Sequence, residues 1–352
     1  MKPFVSFIIP TYNVAGYVEK TIESLLKQTS KNFEVVLIDD NSTDDTVHVV
    51  EQILTNQNEI QWTLLRNSAN SGPGASRNLG IEQARGDYLI FLDGDDRVES
   101  TLVERLESAK RDFKVEKDID VFVWKYVELS ADGTQNIPRS PFTGVVPNVV
   151  TSGTKILQAM LIERCFHIWT TSFAVNRKLV SEKRLRFPEE CRKGEDLTFI
   201  LQVLANARYV LFLDSVLSYY LQRKTSISRT FSAKDLQVYN CLIQACGALL
   251  NATDDNKLFG ACEEFAFYRF LNYFEALTVK WKDAWNWSTF VSKLDSEFGI
   301  GGEVEKLINS VHHRISRRKK LISKRCLSER VKFALFKLSP RFYWFLYRLK
   351  SL

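Results

Sequence analysis

Carboxylates recur in this chain where an apolar, β-branched run has just ended. Asp39-Asp40 follows Val35-Val36-Leu37-Ile38, and Asp93-Gly94-Asp95-Asp96 follows Tyr88-Leu89-Ile90-Phe91-Leu92. A third polar turn, Pro10-Thr11-Tyr12-Asn13, follows the run Val5–Ile9. Strand-end carboxylates without internal partners are costly unless a cation or a donor ligand meets them. Asp93 and Asp95 are two residues apart, so in extended geometry their side chains lean the same way. Gly94 between them lets the backbone approach a ligand closely. Two hard oxygen ligands completed by phosphate oxygens suit Mg2+ or Mn2+, so the spacing points to a metal–diphosphate site. A polar β-turn with an aspartate capping the next helix is the plainer alternative, and repetition at three strand ends favours the first.

The elements that must position these groups are legible as alternating periods. Strands are expected at Val5–Ile9, Phe33–Asp39, Ile60–Leu65 and Tyr88–Leu92. Between them lie helical patterns at Val18–Gln28, from a Ser42 or Thr43 cap to Leu54, and at Ala75–Ala84, with another over Val98–Phe113. This order predicts an α/β fold: a mostly parallel sheet flanked by helices, binding ligands beyond the carboxyl ends of its strands. Further strands are expected at Asp120–Leu129, Trp169–Asn176, Tyr209–Leu213 and Val216–Gln222, with helices near Lys155–Ile162 and Leu197–Ala207. From Ala233 onward the pattern is helical, broken around Gly299–Gly302. The expected organisation is an α/β catalytic domain over residues 1–230, a helical region over 231–312 and a basic amphipathic tail over 313–352.

Four blocks, Ile8-Ile9-Pro10-Thr11-Tyr12-Asn13, Val36 to Asp44, Ser71-Gly72-Pro73-Gly74-Ala75-Ser76-Arg77-Asn78-Leu79-Gly80 and Gly86 to Asp96, resemble in content and order those of family 2 glycosyltransferases of the GT-A, Rossmann-like fold. The resemblance implies an inverting transferase that moves a hexose or N-acetylhexosamine from a UDP-sugar to a hydroxyl, with Mn2+ or Mg2+ on the diphosphate. It implies that Asp40 accepts from uracil N3, a role suited to an acceptor-only carboxylate, while Pro10 and Tyr12 wall the base. Arg77 is expected near the nucleotide and Asp93, either offsetting phosphate charge or simply holding Asp93. Asp95 is expected to ligate the metal directly, with Asp93 nearer the ribose or the metal's waters. A fainter match through Gly194-Glu195-Asp196 makes Asp196 the expected base for the acceptor hydroxyl, an N-cap being its plainer alternative, and Glu195 an orienting group. Arg223-Lys224-Thr225-Ser226 resembles the segment that closes over the donor diphosphate, with Arg223 and Ser226 as its contacts and an ordinary basic loop as the alternative. Residues 231–352 carry no such resemblance.

Charge divides the chain unevenly. Residues 314–352 hold 13 Lys and Arg against the single acid Glu329, a net +12, whereas the whole chain is +6, leaving 6 − 12 = −6 for residues 1–313. The tail interleaves these cations with Phe333, Phe336, Phe342, Tyr343, Trp344, Phe345 and Tyr347. Such a segment suits the interface of an anionic membrane, so peripheral attachment to the inner face of the plasma membrane is expected, from a cytoplasmic location and beside a lipid-linked, polymeric or other cell-surface glycan acceptor. Packing of the tail on the acidic body is the alternative. Nucleic acid is not an expected partner, because no basic stripe runs through the rest of the chain. A nucleotidyltransferase would need a basic Gly-rich loop after the first strand, where Asn13-Val14-Ala15-Gly16-Tyr17 stands instead. A non-catalytic scaffold of envelope polysaccharide assembly is the remaining rival. The six cysteines show no C-x-x-C or metal spacing and are expected as reduced core thiols.

Overall fold

The computed structural model describes residues 2–55, 57–113, 118–130, 146–164, 168–191, 193–223, 230–253, 255–298, 302–318, 321 and 326–351. Its contacts separate two compact units: residues 1–160, 165–190 and 195–224 form the first, and 161–164, 191–194 and 225–352 the second.

In the first unit, β1 (Val5–Thr11), β2 (Phe33–Asp39), β3 (Gln61–Arg66) and β4 (Tyr88–Phe91) pair in parallel in the order β3-β2-β1-β4. Helices α1 (Val18–Leu26), α2 (Thr46–Leu54) and α3 (Gly72–Gln83) connect them. Beyond β4 the sheet continues through β8 (Phe173–Asn176), β6 (Val121–Leu129), β9 (Val210–Leu221) and β5 (Arg97–Val98), while β7 (Val150–Thr151) also pairs with β9. β8 runs antiparallel to β4 and β6, β6 runs parallel to β9, and the longer ladders are the parallel ones. β2 and β4 are buried along their full length, and β1 at every residue but Pro10. Each fully buried large apolar side chain stabilises by roughly 1.5–3 kcal/mol, which is why Val, Ile, Leu and Phe dominate these strands. Helix α3 lies close on the sheet because residue 80 is glycine: a Cβ there would meet Ile8 Cγ2 at 2.3 Å and Ile38 Cδ1 at 2.9 Å.

Register decides where the polar turns emerge. Thr11 is level with Asp39, and Ile8 with Phe91, so the chain leaves β1, β2 and β4 at one sheet edge. Two of the strands end on left-handed asparagines, Asn13 (φ 51°) just past β1 and Asn41 (φ 62°) just past β2, a conformation that asparagine tolerates better than most residues. Asn13 Oδ1 accepts from the Thr43 amide at 2.9 Å and the Asn13 amide donates to Ser42 Oγ at 3.1 Å, lacing the two turns together.

Several local expectations need correction. Helix α2 begins at Thr46 after Asp45, without a side-chain cap, because Ser42 and Thr43 are engaged in that lacing. The expected strand Trp169–Asn176 is a single 3-10 turn, Thr170–Ser172, followed by β8, and a short helix α6 (Arg177–Glu182) capped by Asn176 follows. The expected strands at Tyr209–Leu213 and Val216–Gln222 are one strand, β9, whose pairing with β6 shifts register near Lys125. Helices α4 (Leu102–Asp112), α5 (Gly153–Leu161) and α7 (Glu195–Asn206) complete the unit. The turn that Ala131-Asp132-Gly133-Thr134 suggests in sequence lies outside the described residues.

The second unit is helical: α8 (Val238–Thr253), α9 (Asn256–Lys280), α10 (Trp287–Phe298), α11 (Glu303–Ser316), α12 (Leu327–Leu338) and α13 (Pro340–Ser351). No described helix is long and apolar enough to cross a membrane. The structure pairs Cys191 with Cys241 and Cys246 with Cys262 as disulfides, which corrects the expectation of reduced thiols, and leaves Cys326 free and exposed. Of the tail aromatics, Phe333, Phe336, Tyr343 and Trp344 are buried. Phe336 meets Phe267, Phe270 and Phe274 of α9 at ring separations of 5.3 to 6.1 Å, and Trp344 meets Phe290 at 5.3 Å. Part of the tail's charge is matched inside the unit as well: Arg318 pairs with Glu263 and Glu264, and Lys332 with Glu275. One face of the tail is therefore core.

Candidate active site

Each of the three turns brings a different chemistry to the edge where β1, β2 and β4 end. Tyr12 is 44% exposed beside half-buried Pro10, a ring and a ring edge open to a ligand. Asp40, at the end of β2, is buried and heavily used. Its Oδ1 accepts from Asn67 Nδ2 at 2.7 Å and the Ser71 amide at 2.9 Å, and its Oδ2 from the Gly72 amide at 2.7 Å. Asp40 thus tethers the N-terminus of α3, where backbone donors and the helix dipole favour a negative group. A carboxylate offers about four acceptor positions, so three internal donors leave room for one more. Asp39 turns inward: its Oδ2 meets the Ser42 amide at 3.1 Å and Arg66 Nε at 3.2 Å, and its Oδ1 is buried with no hydrogen-bond partner.

The acidic turn after β4 is held by two arginines. Arg77, on α3 and 4% exposed, donates from Nη2 to Asp93 Oδ1 at 2.7 Å and from Nη1 to Glu195 Oε1 at 2.9 Å. The two guanidinium nitrogens thereby join the end of β4 to the start of α7, which lies 118 residues beyond Arg77 in sequence. Burial opposes its charge, but Asp93 and Glu195 outweigh that and hold Arg77 protonated. Arg223, just after β9, pairs with Asp95 Oδ2 and lies over the Tyr17 ring at 5.0 Å. Both arginines are in place near the acids, while Ser226 lies outside the described residues.

Asp96 is a residue that sequence reading placed only in a turn. It is fully buried, its Oδ2 accepting from Trp169 Nε1 at 2.9 Å and Thr171 Oγ1 at 3.3 Å, its Oδ1 from the Leu221 amide at 3.0 Å. Trp169 in turn lies against Tyr220 with ring centres 4.2 Å apart. One buried carboxylate therefore fixes the acidic turn to the end of β9, two residues before Arg223. A third acid after Asp93 and Asp95 was the only signal in sequence, since its partners are 73 and 125 residues away. Gly94 also has a reason within the fold that sequence did not show. A Cβ there would meet Thr11 Cγ2 at 3.0 Å, Val14 Cγ2 at 3.2 Å and the Pro10 carbonyl at 3.3 Å, so the close approach is to the turn after β1.

Glu195 and Asp196 open α7. Burial, reinforced by Asp196, pushes Glu195 up to about 7 against the opposing pull of Arg77. Asp196 is half-buried, and its Oδ1 accepts from the Leu197 amide at 2.7 Å, so it stands in the first turn rather than before it.

Charge balance tests whether a divalent cation fits. Five acids, Asp93, Asp95, Asp96, Glu195 and Asp196, surround two arginines. Burial and the charge of Asp93 push Asp95 up to about 6 despite its Arg223 partner, and Asp96 is pushed well above the usual carboxylate range by burial and by Asp95. Negative charge is in excess. No three metal-ligating side chains converge among the described residues, and an ion held with a diphosphate would need only one or two carboxylates, its shell completed by phosphates and water. Asp93 and Asp95 each give one oxygen to an arginine, and the residues present fit such an ion.

Comparisons with known proteins bear on the family and the fold. A family model described as glycosyl transferase family 2 matches residues 6–180. An uncharacterised glycosyltransferase of Haemophilus influenzae is 31% identical over 228 residues, covering 64% of this chain and 82% of its own. The poly(ribitol-phosphate) beta-N-acetylglucosaminyltransferase TarS of Staphylococcus aureus is 31% identical over 222 residues, 62% of this chain, and the match spans 35% of TarS. A crystal structure of TarS residues 1–349 in complex with UDP-GlcNAc superposes with a TM-score of 0.62 at 23% identity, covering 100% of this chain and 89% of that one, a likeness of fold. From the acids at the sheet edge, the GT-A architecture beneath them and these relatives together, the chain belongs to glycosyl transferase family 2.

Proposed function

We propose that this protein is an inverting glycosyltransferase that moves a hexose or N-acetylhexosamine from a UDP-sugar to a hydroxyl of a cell-surface glycan, lipid-linked or polymeric acceptor. The observation that carries the reading is the Arg77 fork: one buried cation binds both the metal-type turn at Asp93 and the helix that begins Glu195-Asp196. A donor-binding acid and an acceptor-side acid are thereby held at a fixed spacing, as transfer between two bound substrates requires. N-acetylglucosamine is the first sugar to test, because TarS, whose name specifies that sugar, shares both sequence and fold with this chain.

The roles follow from chemistry. Tyr12 and Pro10 wall the uracil, and the remaining acceptor position of Asp40 takes its imide N–H. Asp95 and Asp93 would hold Mn2+ or Mg2+, which when bound neutralises charge on the diphosphate oxygens. Arg223, planar and always charged, and Ser226 contact the same diphosphate. Asp196 accepts the proton as the acceptor oxygen attacks the anomeric carbon. The bond from that carbon to the phosphate oxygen breaks with its electron pair leaving on UDP, and configuration inverts in the single displacement. Glu195, anchored by Arg77, keeps Asp196 in register. We further propose that the enzyme works as a peripheral protein on the inner face of the plasma membrane.

The test is a panel of nucleotide sugars with Mn2+, Mg2+ or chelator, read first as thermal stabilisation and then as slow donor hydrolysis. A ligand bound at 100 times its dissociation constant stabilises by about 2.7 kcal/mol. Stabilisation by UDP-sugars that needs the divalent ion supports the reading, and indifference to every nucleotide diphosphate defeats it.

A further inference from the structure

The tail helices carry a second apolar face. On α12, Leu327, Val331, Ala334 and Leu338 are exposed at i, i+4, i+7 and i+11, one stripe of a helix. Leu327 is 78% and Leu338 71% exposed. On α13, Phe342, Phe345 and Leu349 are exposed at i, i+3 and i+7, again one stripe. The opposite faces hold Phe333 and Phe336 on α12 and Tyr343 and Trp344 on α13, all buried within the unit. Each helix is thus apolar on two sides, and the core accounts for only one. Soluble surfaces rarely keep such rows of large apolar side chains in water without a partner.

We propose that these two outward stripes are the membrane-contacting surface, and that their occupant is the interfacial region of an anionic bilayer. Charge selects that occupant. On α13 the stripe is bordered by Arg341 and Arg348 on one side and Lys350 on the other, and on α12 by Arg330. Long basic side chains beside an apolar row reach the headgroups while their stems stay with the acyl chains. A second copy of this chain is a poor occupant, since α12 and α13, with six Lys and Arg against the one acid Glu329, would be brought against the same basic surface. The inference deepens the peripheral-membrane reading above and rests on it. It also narrows it: Phe333, Phe336, Tyr343 and Trp344 stay in the core, and Leu327, Val331, Ala334 and Leu338 with Phe342, Phe345 and Leu349 do the inserting.

Flotation of the full chain with phosphatidylcholine vesicles, with and without phosphatidylglycerol, tests this. The wild type should float with the anionic vesicles and bind the neutral ones at least tenfold less, with binding weakened by salt. The triple variant Phe342→Ser, Phe345→Ser, Leu349→Ser changes only exposed positions, so it should keep its melting temperature and lose about tenfold or more of its vesicle binding. Phe336→Ser, a core change, serves as the contrast and should lower the melting temperature. Asp95→Ala should float like the wild type, which separates failure of this surface from failure of the catalytic reading. Equal flotation of the triple variant and wild type, no flotation of either, or a triple variant that instead loses concentration-dependent self-association would each overturn the proposal.

Discussion

The acidic edge of the first unit and the aromatic interior of the second use burial for opposite ends. At the edge, Asp93, Asp95, Asp96, Glu195 and Asp196 crowd around two arginines, and Asp95, Asp96 and Glu195 are all pushed toward their neutral forms. In the second unit, Phe336 meets Phe267, Phe270 and Phe274 edge to face, Phe274 meets Phe290 in the same way, Trp344 lies tilted against Phe290, and the glutamates of α9 meet cations of the tail. The first arrangement holds charge at a cost in stability, ready for a ligand to relieve. The second is stable as it stands. Substitutions in the two regions should therefore fail in different ways.

The largest effect is expected from Asp196→Asn. Loss of a general base costs about 10²–10⁴-fold, so transfer should fall on that scale while the melting temperature and UDP affinity hold. Equal loss of UDP affinity would instead make Asp196 part of the donor site. In the second unit, Phe336→Ala should do the reverse, costing about 3–5 kcal/mol of stability as large aromatic truncations do, with per-molecule donor hydrolysis unchanged in the fraction that remains folded. Denaturant unfolding followed at matched folded fractions checks both halves.

A smaller effect sharpens the contrast through pH. Glu195 is raised from 4.5 to about 7. A carboxyl raised in the folded state contributes fully below its unfolded value, and that contribution is lost as pH climbs through the folded value. Stability should therefore decline as pH climbs from about 4.5 towards 7. Glu195→Gln, which cannot ionise, should flatten part of that decline, the remainder coming from Asp95. A melting curve measured at each pH for both proteins reads this directly, and identical slopes would remove Glu195 from the account.

The acids at strand ends were legible because local order exposes them: an apolar run stops and a carboxylate begins, and parallel register then carries Tyr12, Asp40 and Asp93 to one edge. The partners of those acids were not. Nothing near Asp40 announces Asn67 or the amides of Ser71 and Gly72, and nothing near Asp96 announces Trp169. Such pairings are set by which distant segments the fold brings together, as are the cysteine pairs 50 and 16 residues apart. The tail failed for another reason. Its helices are apolar on both faces, so periodicity alone did not divide Phe336, which is core, from Leu338, which is exposed.

The central claim is that excess carboxylate charge at the end of β4 is matched by a divalent ion on a bound diphosphate. Calorimetric titration of UDP into the wild type and into Asp95→Ala, each with and without Mn2+, tests it most directly. Mn2+ should tighten UDP binding at least tenfold in the wild type and leave the variant unchanged. Equal UDP affinity with and without the ion in the wild type would contradict it, leaving the arginines as the permanent partners of Asp93 and Asp95.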